Sequence, residues 1–391
     1  MKQLHVAIFE MPLPVLVNPT LSIVHTLVRR GYRVTYITSQ RFAEKISALG
    51  ANVILCPRME FPFNQTDSGE SAPIELQYSN NAFDMASRTL AIASNFFEND
   101  APNFILYGVS AYAGRILAER LHIPAICMMS ILSLSSENLR DPIVPETFRH
   151  DLLISARQTK SFYKHYGVFD ENVPFSSHEP TLYFYSQDLQ LSGGGSECCL
   201  YAPRCAAEQP CVEVYKSKHN RYERSFLISS STGYDKGPEY FKMCLDAVSA
   251  FKWNVLLAIG RNNSSESIGP LPSNCSIVRG IPLVAVMPYV DFLICLGGMI
   301  TTMEAMYHGL PLLMLTHGHP EAELYADNSQ RHGLGTHLKE RNPTVDMIRS
   351  AVTQMLNNSQ LFINVAKASK VVRRGPGAEE AANWFEDYLY R

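Results

Sequence analysis

The sequence predicts an α/β protein with two domains, each built on a parallel sheet covered by helices on both sides. Short apolar runs of strand length alternate with amphipathic helical segments in two separate series, and 391 residues exceed one typical domain. A polar, irregular stretch at residues 206–224 lies between the two series and is typical of a linker. We therefore expect one domain at residues 1–205 and a second at residues 225–375.

The first series begins with an apolar strand at His5–Phe9. A loop follows, and we expect the first helix to begin at Asn18-Pro19, because Asn is a good helix cap and Pro suits the first helical position. Gly31 is expected to end that helix, and a second strand follows at Arg33–Thr38. This strand–helix–strand unit predicts neighbouring parallel strands joined by a right-handed crossover.

The same alternation continues along both halves of the chain. Further strands are expected at Val53–Cys56, Phe104–Tyr107, Pro124–Met129 and Leu182–Tyr185, and then at Phe226–Ser230, Val255–Ile259, Ser276–Arg279, Phe292–Cys295 and Pro311–Leu315. Between residues 61 and 81 the pattern fails, and the polar composition predicts a long surface loop. A last helix is expected at Ala378–Tyr390, within a C-terminal segment at residues 376–391. The whole pattern predicts two Rossmann-like halves that face each other across a cleft, with ligand at the carboxyl ends of the strands.

Composition excludes several classes of function. Hydrophobic residues make up 46% of the chain and charged residues 18%, which is typical of globular proteins with large cores. The formal net charge of -3 argues against a nucleic-acid partner or an anionic membrane surface. No apolar run reaches the roughly 20 residues that span a bilayer, and no signal-peptide cleavage site follows the N-terminus. We therefore expect a cytoplasmic protein without a membrane span.

Two groups of side chains resemble metal ligands, and neither has convincing spacing. An odd total of nine cysteines favours reduced thiols, and the cluster Cys198, Cys199, Cys205 and Cys211 lacks the paired CxxC spacing of zinc sites. His317 and His319 are followed by two glutamates, but Pro320 is expected to scatter these side chains. We expect no metal ion. As an alternative, the two histidines supply positive charge or contact a ligand.

The stretch Asp291–Leu315 reads as strand, glycine turn, helix and strand. Gly297 and Gly298 allow a sharp turn without side chains in the way. Such a turn directs backbone N–H groups and the positive helix end toward a ligand, most often a phosphate. The helix then begins with three polar side chains that are candidate ligand contacts, Thr301, Thr302 and Glu304.

Two segments carry a resemblance to a known family. Val17–Thr38, VNPTLSIVHTLVRRGYRVTYIT, resembles the opening segment of the family 1 nucleotide-sugar glycosyltransferases, in their macrolide and flavonoid branch. Gly269–Leu315 resembles the donor-binding signature of the same family, with LPSN, GGM, TMEA and YHGLP in order. The likeness extends over nearly the whole chain. It implies the GT-B fold, in which the last helix crosses back onto the N-terminal domain.

The resemblance also implies a reaction. Members of this family transfer a hexose from a nucleotide diphosphate sugar, which is a co-substrate, to a hydroxyl of a small hydrophobic natural product. The N-terminal domain holds the acceptor and the C-terminal domain holds the donor. No metal or other cofactor is implied, because the helix end and side-chain donors stabilise the leaving diphosphate. A His oriented by an Asp removes the acceptor proton.

The sequence departs from the family at both positions of this catalytic dyad. Leu16 stands at the position of the His, and Gly108 stands at the position of the Asp. Neither residue can accept or orient a proton. Glu10, in the loop after the first strand, is the candidate replacement base. The alternative interpretation of Glu10 is a solvated loop carboxylate.

The donor side departs from the family in the same direction. The family's polar positions are occupied by Leu296, Ile300 and Ala322, and Ser231, Gly280 and Leu283 replace a Gly, a Trp and a Gln. The hydroxyl of Thr301, the ribose-binding carboxylate of Glu304 and the hexose-binding acid at Glu321 are kept. A lost charged hydrogen bond costs about 1.5–3 kcal/mol, so two or three losses weaken donor binding by ~10³-fold.

Three functions remain open from the sequence. The favoured one is a degenerate pseudo-glycosyltransferase that binds a small molecule or a partner enzyme. The second is an active glycosyltransferase that uses Glu10 as a relocated base. The third is an enzyme of another class on this fold, which acts in natural-product biosynthesis without a nucleotide sugar.

Overall fold

The computed structural model describes residues 3–56, 74–134, 138–169, 180–191, 198–210, 215, 221–230, 237–260 and 263–390, with side chains omitted for residues 74–80. The chain divides into two compact units. Unit 1 comprises residues 1–210 together with 375–391, and unit 2 comprises residues 211–374. Each unit contains one sheet, and every strand pair in both sheets is parallel.

The sheet of unit 1 has seven strands in the order β3-β2-β1-β4-β5-β6-β7. Its strands are β1 (His5–Phe9), β2 (Arg33–Thr38), β3 (Asn52–Leu55), β4 (Phe104–Gly108), β5 (Ala125–Met129), β6 (Thr181–Tyr183) and β7 (Cys199–Tyr201). Its first six helices are α1 (Pro14–Arg29), α2 (Gln40–Ser47), α3 (Ile74–Phe97), α4 (Tyr112–Leu121), α5 (Glu146–His165) and α6 (Arg204–Ala207). Single turns of 3-10 helix occur at Asn138–Arg140 and Gln187–Leu189.

Strand β1 lies at the centre of this sheet, between β2 and β4. All five of its residues are buried, because the helices of a parallel α/β unit cover both faces of the sheet. Phe9, the last residue of β1, is in register with Tyr107 near the end of β4. The residues that follow these two strands therefore meet at the carboxyl edge of the sheet.

The sheet of unit 2 has six strands in the order β10-β9-β8-β11-β12-β13. Its strands are β8 (Ser225–Ser229), β9 (Asn254–Ala258), β10 (Cys275–Val278), β11 (Phe292–Cys295), β12 (Leu312–Leu315) and β13 (Gly335–Leu338). Its helices are α7 (Gly237–Val248), α8 (Ser265–Ile268), α9 (Leu283–Val286), α10 (Met299–His308), α11 (Pro320–Arg331), α12 (Val345–Leu356) and α13 (Ser359–Arg374), with a 3-10 turn at Met287–Tyr289. Buried residues on both faces of this sheet form two apolar clusters.

The last helix, α14 (Ala378–Leu389), belongs to unit 1 and packs on α1. Phe385 is fully buried and its ring lies 6.2 Å from that of Phe104 in β4. Arg30 forms ion pairs with Glu379 at 2.7 Å and with Glu386 at 3.2 Å. Burial of the Phe385 ring contributes about 1.5–3 kcal/mol, whereas partly exposed ion pairs contribute at most about 1 kcal/mol each. The predicted return of the C-terminal helix to the N-terminal domain is confirmed.

The predicted start of the first helix was wrong. Helix α1 begins at Pro14, a full turn before Asn18-Pro19, and Pro19 lies inside it. The N–H of Val17 already donates to the carbonyl of Leu13 at 2.8 Å. Pro14 also suits a first helical position, and Pro19 removes a single N–H donor near the start of the helix.

Helix α3 begins at Ile74, inside the segment that was expected to be a surface loop. Residues 61–73 of that loop lie outside the described part of the chain. Strands β7 and β13 were not predicted. Both are short, with three and four residues, and runs of that length have too few positions to show a pattern.

Candidate functional site

The acceptor-side candidate, Glu10, follows β1 directly at the carboxyl edge of the sheet in unit 1. Its side chain is buried, with 3% exposure, so the interpretation as a solvated loop carboxylate was wrong. The Met11 N–H donates a hydrogen bond of 2.8 Å to its Oε1. The chain turns immediately after the strand, and this turn folds the carboxyl back over the end of the sheet.

Gly108 at the end of β4 provides the space that this carboxyl occupies. A Cβ atom added to Gly108 would lie 2.0 Å from Oε1 of Glu10 and 2.3 Å from Oε2. Both distances are far shorter than any van der Waals contact. The carboxyl group of Glu10 therefore fills the place that a side chain at position 108 would take. The sequence predicted Glu10 as a candidate base, but it did not reveal that the Glu10 carboxyl occupies the space beside Gly108.

Burial shifts the pKa of the Glu10 carboxyl. It raises the pKa of Glu10 well above 4.5, and the hydrogen bond from Met11 only partly offsets that effect. The phenol of Tyr36 on β2 is fully buried, and its pKa is raised by burial and by the nearby Glu10. The Tyr36 hydroxyl lies 3.0 Å from the hydroxyl of Thr20. Burial thus disfavours the charged form of Glu10 relative to the same group in water.

A small cavity lies beside Glu10. Its volume is about 20 Å³, which is enough for one water-sized group. Glu10 lines it together with side chains of α3 and the start of α4, among them Ala82, Met85, Ala86 and Tyr112. The described lining is mainly apolar, and its polar side chains are those of Glu10, Thr89, Ser110 and Tyr112.

Leu16, which stands at the predicted His position of the dyad, carries no catalytic group. Leu16 lies in the first turn of α1 and is half-buried. Its N–H donates to the carbonyl of Leu13 at 3.0 Å, and its side chain is a hydrocarbon. No proton acceptor is present on this side chain, and the fold brings Glu10 to the space above Gly108.

The donor-side candidates of unit 2 lie on the turn between β11 and α10. Gly297 has φ +93, and an added Cβ would lie 3.0 Å from Cγ of Met314. Gly298 has φ -61 and is the N-cap of α10. The predicted glycine turn before a helix is therefore present, and its first glycine is required by both conformation and space.

The side chains of this turn differ in what they offer a ligand. Ile300 is buried, and Leu296 and Thr301 are half-buried. Thr302 is 1% exposed, and its Oγ1 has no hydrogen-bond partner among the described residues. Glu304 is also buried, one turn into the helix. Two hydrocarbon side chains thus stand beside a turn that keeps its backbone geometry, while a hydroxyl remains unsatisfied inside it.

The acid predicted to contact the hexose, Glu321, lies in the first turn of helix α11. Tyr325 donates a hydrogen bond of 2.6 Å to Glu321, and burial raises the pKa of that carboxyl. His319 caps the same helix, because its Nδ1 accepts the N–H of Ala322 at 3.2 Å. Within the described ranges, no group of three or more His, Cys, Asp or Glu side chains is placed to hold a metal ion. Ser231 and Cys211 lie outside the described residues.

A polar relay in unit 2 was not predicted. Nδ1 of His337 lies 2.7 Å from Oδ1 of Asp327, and its Nε2 lies 2.9 Å from Oγ1 of Thr316. Lys339 pairs with the other oxygen of Asp327 at 2.8 Å. Thr316 and His337 are buried, whereas Asp327 and Lys339 are partly exposed. Its members come from β12, α11 and β13, and no short motif marks such a grouping.

Comparisons with known proteins find similar sequences. A family model described as the C-terminal domain of erythromycin biosynthesis protein CIII-like proteins matches residues 242–386. The chain is 28% identical over 406 residues to the NDP-glycosyltransferase YjiC of Bacillus subtilis, covering 100% of this chain and 98% of that protein. It is 26% identical over 409 residues to the demethyllactenocin mycarosyltransferase of Streptomyces fradiae, covering 98% and 86%.

Solved structures show the same fold. The calicheamicin glycosyltransferase CalG4 superposes with a TM-score of 0.79 at 24% identity, covering 100% of this chain and 99% of the other. The predicted GT-B architecture of two parallel-sheet α/β domains is therefore confirmed. None of the helices in the described part of the chain is both long and apolar enough to cross a membrane.

Proposed function

This chain is a homologue of the family 1, GT-B glycosyltransferases of the macrolide type, and we propose that it is a degenerate member that binds a small hydrophobic natural product without transferring sugar to it. One observation carries the proposal. The carboxyl of Glu10 fills the space above Gly108, and burial favours its uncharged form. A protonated acid does not remove a proton from an acceptor hydroxyl.

The neighbouring positions support the same conclusion. Leu16 offers no base, and Leu296 and Ile300 offer no polar contact to a diphosphate. The glycine turn and Glu304 remain, so we expect a nucleotide diphosphate sugar to bind weakly. Loss of two or three charged hydrogen bonds weakens binding by ~10³-fold.

The test is a transfer assay combined with calorimetry. The protein is incubated with UDP-glucose or dTDP-glucose and a panel of macrolide and flavonol acceptors, and glycosides are sought by mass spectrometry. We expect no glycoside, and we expect nucleotide affinity in the millimolar range that falls further in Glu304→Ala. Glycoside formation by the unmodified protein would contradict the proposal.

A restoration variant sharpens the test. The triple change Glu10→Ala, Leu16→His and Gly108→Asp supplies the family's dyad, and removal of the Glu10 carboxyl leaves room for the new Asp. If the dyad is the missing part, this variant forms glycoside where the parent does not. The matched control carries Glu10→Ala and Gly108→Asp but keeps Leu16, and it is expected to stay inactive.

One observation favours an active enzyme as the second candidate. Glu10 lines a cavity on the acceptor side, where a relocated base would be needed. In that case transfer would increase as pH rises through the raised pKa of Glu10, since the base must be ionised, and Glu10→Gln would abolish it. Transfer that lacks this pH dependence and survives Glu10→Gln would exclude Glu10 as the base.

A partner enzyme is a further part of the proposal, because a degenerate relative can act through a protein that it binds. Co-purification with a biosynthetic protein from the same gene neighbourhood, together with a change in the activity of that protein, would support a partner role. A protein that remains monomeric and alone under all conditions would count against it.

A further inference from the structure

We infer that Glu10 recognises an uncharged oxygen of the ligand by donating a hydrogen bond from its carboxyl into the cavity beside it. The inference rests on the proposed ligand binding in unit 1 and names the class of ligand: a hydrophobic molecule with a carbonyl, ether or hydroxyl oxygen. Glu10 then acts as a specificity-determining donor in place of a catalytic base.

The geometry leaves one carboxyl oxygen for the ligand. Oε1 accepts the N–H of Met11 at 2.8 Å. Across the ranges that the structure describes, no hydrogen bond reaches Oε2. The side chain is 3% exposed, so bulk water cannot satisfy this oxygen freely. The cavity of about 20 Å³ is the space that Glu10 faces.

Among the residues that the structure describes, no positively charged group lines the cavity. Its lining comes from the end of β1, from β2, from α3 and from the turn before α4. The titratable groups near Glu10 are the phenols of Tyr36 and Tyr112, and burial raises the pKa of both. An ionised Glu10 would therefore be a buried charge without a partner, which is costly. The uncharged acid avoids this cost and carries an O–H donor.

The chemistry of the walls selects the ligand. Ala82, Met85 and Ala86 present hydrocarbon to the cavity. A charged ligand group would lose its hydration there and find no opposite charge. A carbonyl, ether or hydroxyl oxygen loses far less and gains the hydrogen bond from Glu10. The volume holds one group of about the size of a water molecule, so a single ligand oxygen is the part that fits there.

A single trapped water would satisfy the same oxygen, and the experiment must separate it from a ligand. Three probes of similar shape serve this purpose: acetophenone with a carbonyl, ethylbenzene without an oxygen, and benzoate with a charge. Their affinities for the full-length protein, Glu10→Gln and Glu10→Met are measured by calorimetry between about pH 5 and about pH 9. Glu10→Gln keeps a donor at every pH, and Glu10→Met removes the donor at similar length.

We expect acetophenone to bind the unmodified protein more tightly than ethylbenzene or benzoate. The Glu10→Met variant should lose about five- to tenfold in acetophenone affinity and almost nothing for ethylbenzene. Acetophenone affinity of the unmodified protein should fall as alkaline pH ionises the carboxyl, and that of Glu10→Gln should stay constant. Infrared spectra should show a protonated carboxyl band that is absent in Glu10→Gln and shifts with acetophenone.

Several results would overturn the inference. One is an acetophenone affinity of Glu10→Met equal to that of the unmodified protein, and another is tighter binding of benzoate than of acetophenone. A third is an acetophenone affinity of the unmodified protein that does not change with pH. The last is no binding of any probe, which would leave only a trapped water. If Glu10→Met does not fold, the pH dependence against Glu10→Gln decides alone. Glycoside formation in the transfer assay would refute the proposed function separately, because these binding differences do not depend on transfer.

Discussion

The carboxyl niche of unit 1, formed by Glu10 and Gly108, and the glycine turn of unit 2 differ in opposite ways from the family pattern that the sequence resembles. In the niche, a glycine stands where the family pattern has an Asp, and the Glu10 carboxyl fills the space that a side chain there would take. In the turn, the backbone is retained, and hydrocarbon stands at Leu296 and Ile300. The niche therefore depends on the Glu10 side chain and on the space left by a glycine, and the turn depends on main-chain conformation. Alanine substitutions at a glycine of each region should show whether stability depends on the Glu10 side chain or on main-chain conformation.

The largest effect is expected at the first glycine of the turn. Gly297→Ala forces a Cβ into a left-handed conformation and within 3.0 Å of Met314, and it should destabilise the protein by about 3 kcal/mol. The control is Gly298→Ala, which has open space around its Cβ and should cost under about 1 kcal/mol. Denaturant unfolding compares the two. Equal costs would mean that the turn conformation is not the constraint.

The niche should show coupling between two positions. Gly108→Ala places a Cβ on the Glu10 carboxyl and should cost about 2 kcal/mol, because the acid must leave its buried place. The same change in a Glu10→Ala background should cost much less. A double-mutant cycle then gives a coupling of about 1–2 kcal/mol. Additive costs would show that Glu10 does not occupy the space above Gly108.

The pH dependence of stability should reveal the proton on Glu10. Its pKa is raised in the folded protein, so the folded state retains a proton that the unfolded state releases above about pH 4.5. Stability from this group is complete below that pH and falls as pH rises through the folded pKa, by up to about 1.4 kcal/mol per pH unit.

The Glu10→Gln variant has no such proton, so its stability relative to the parent should increase with pH over this range. Chemical unfolding of both proteins at a series of pH values measures the difference. A difference that does not change with pH would mean that Glu10 ionises normally in the folded protein.

The smallest effect is expected inside the turn. Thr302 buries a hydroxyl that has no described hydrogen-bond partner, so Thr302→Val should stabilise the protein by about 0.5–1 kcal/mol. If the same hydroxyl contacts a bound diphosphate, nucleotide affinity should fall in this variant. Thermal melting with and without UDP checks both effects. A loss of stability without ligand would show that the hydroxyl is already satisfied.

Much of the architecture was predictable from the sequence. The strands His5–Phe9, Arg33–Thr38 and Phe292–Cys295 have the predicted bounds, because apolar runs of strand length mark them. The first helix was misplaced since two prolines, Pro14 and Pro19, suit the same position. The relay of Thr316, His337 and Asp327 was missed, because its members come from three elements.

The sequence by itself determined the two-sheet fold, the glycine turn and the absence of a histidine and an aspartate at Leu16 and Gly108. These follow from residue identity and local pattern, which a linear chain carries directly. Only the tertiary structure decided the state of Glu10. Its burial, its raised pKa and its place above Gly108 arise because β1 and β4 lie side by side in the sheet, although they are far apart along the chain.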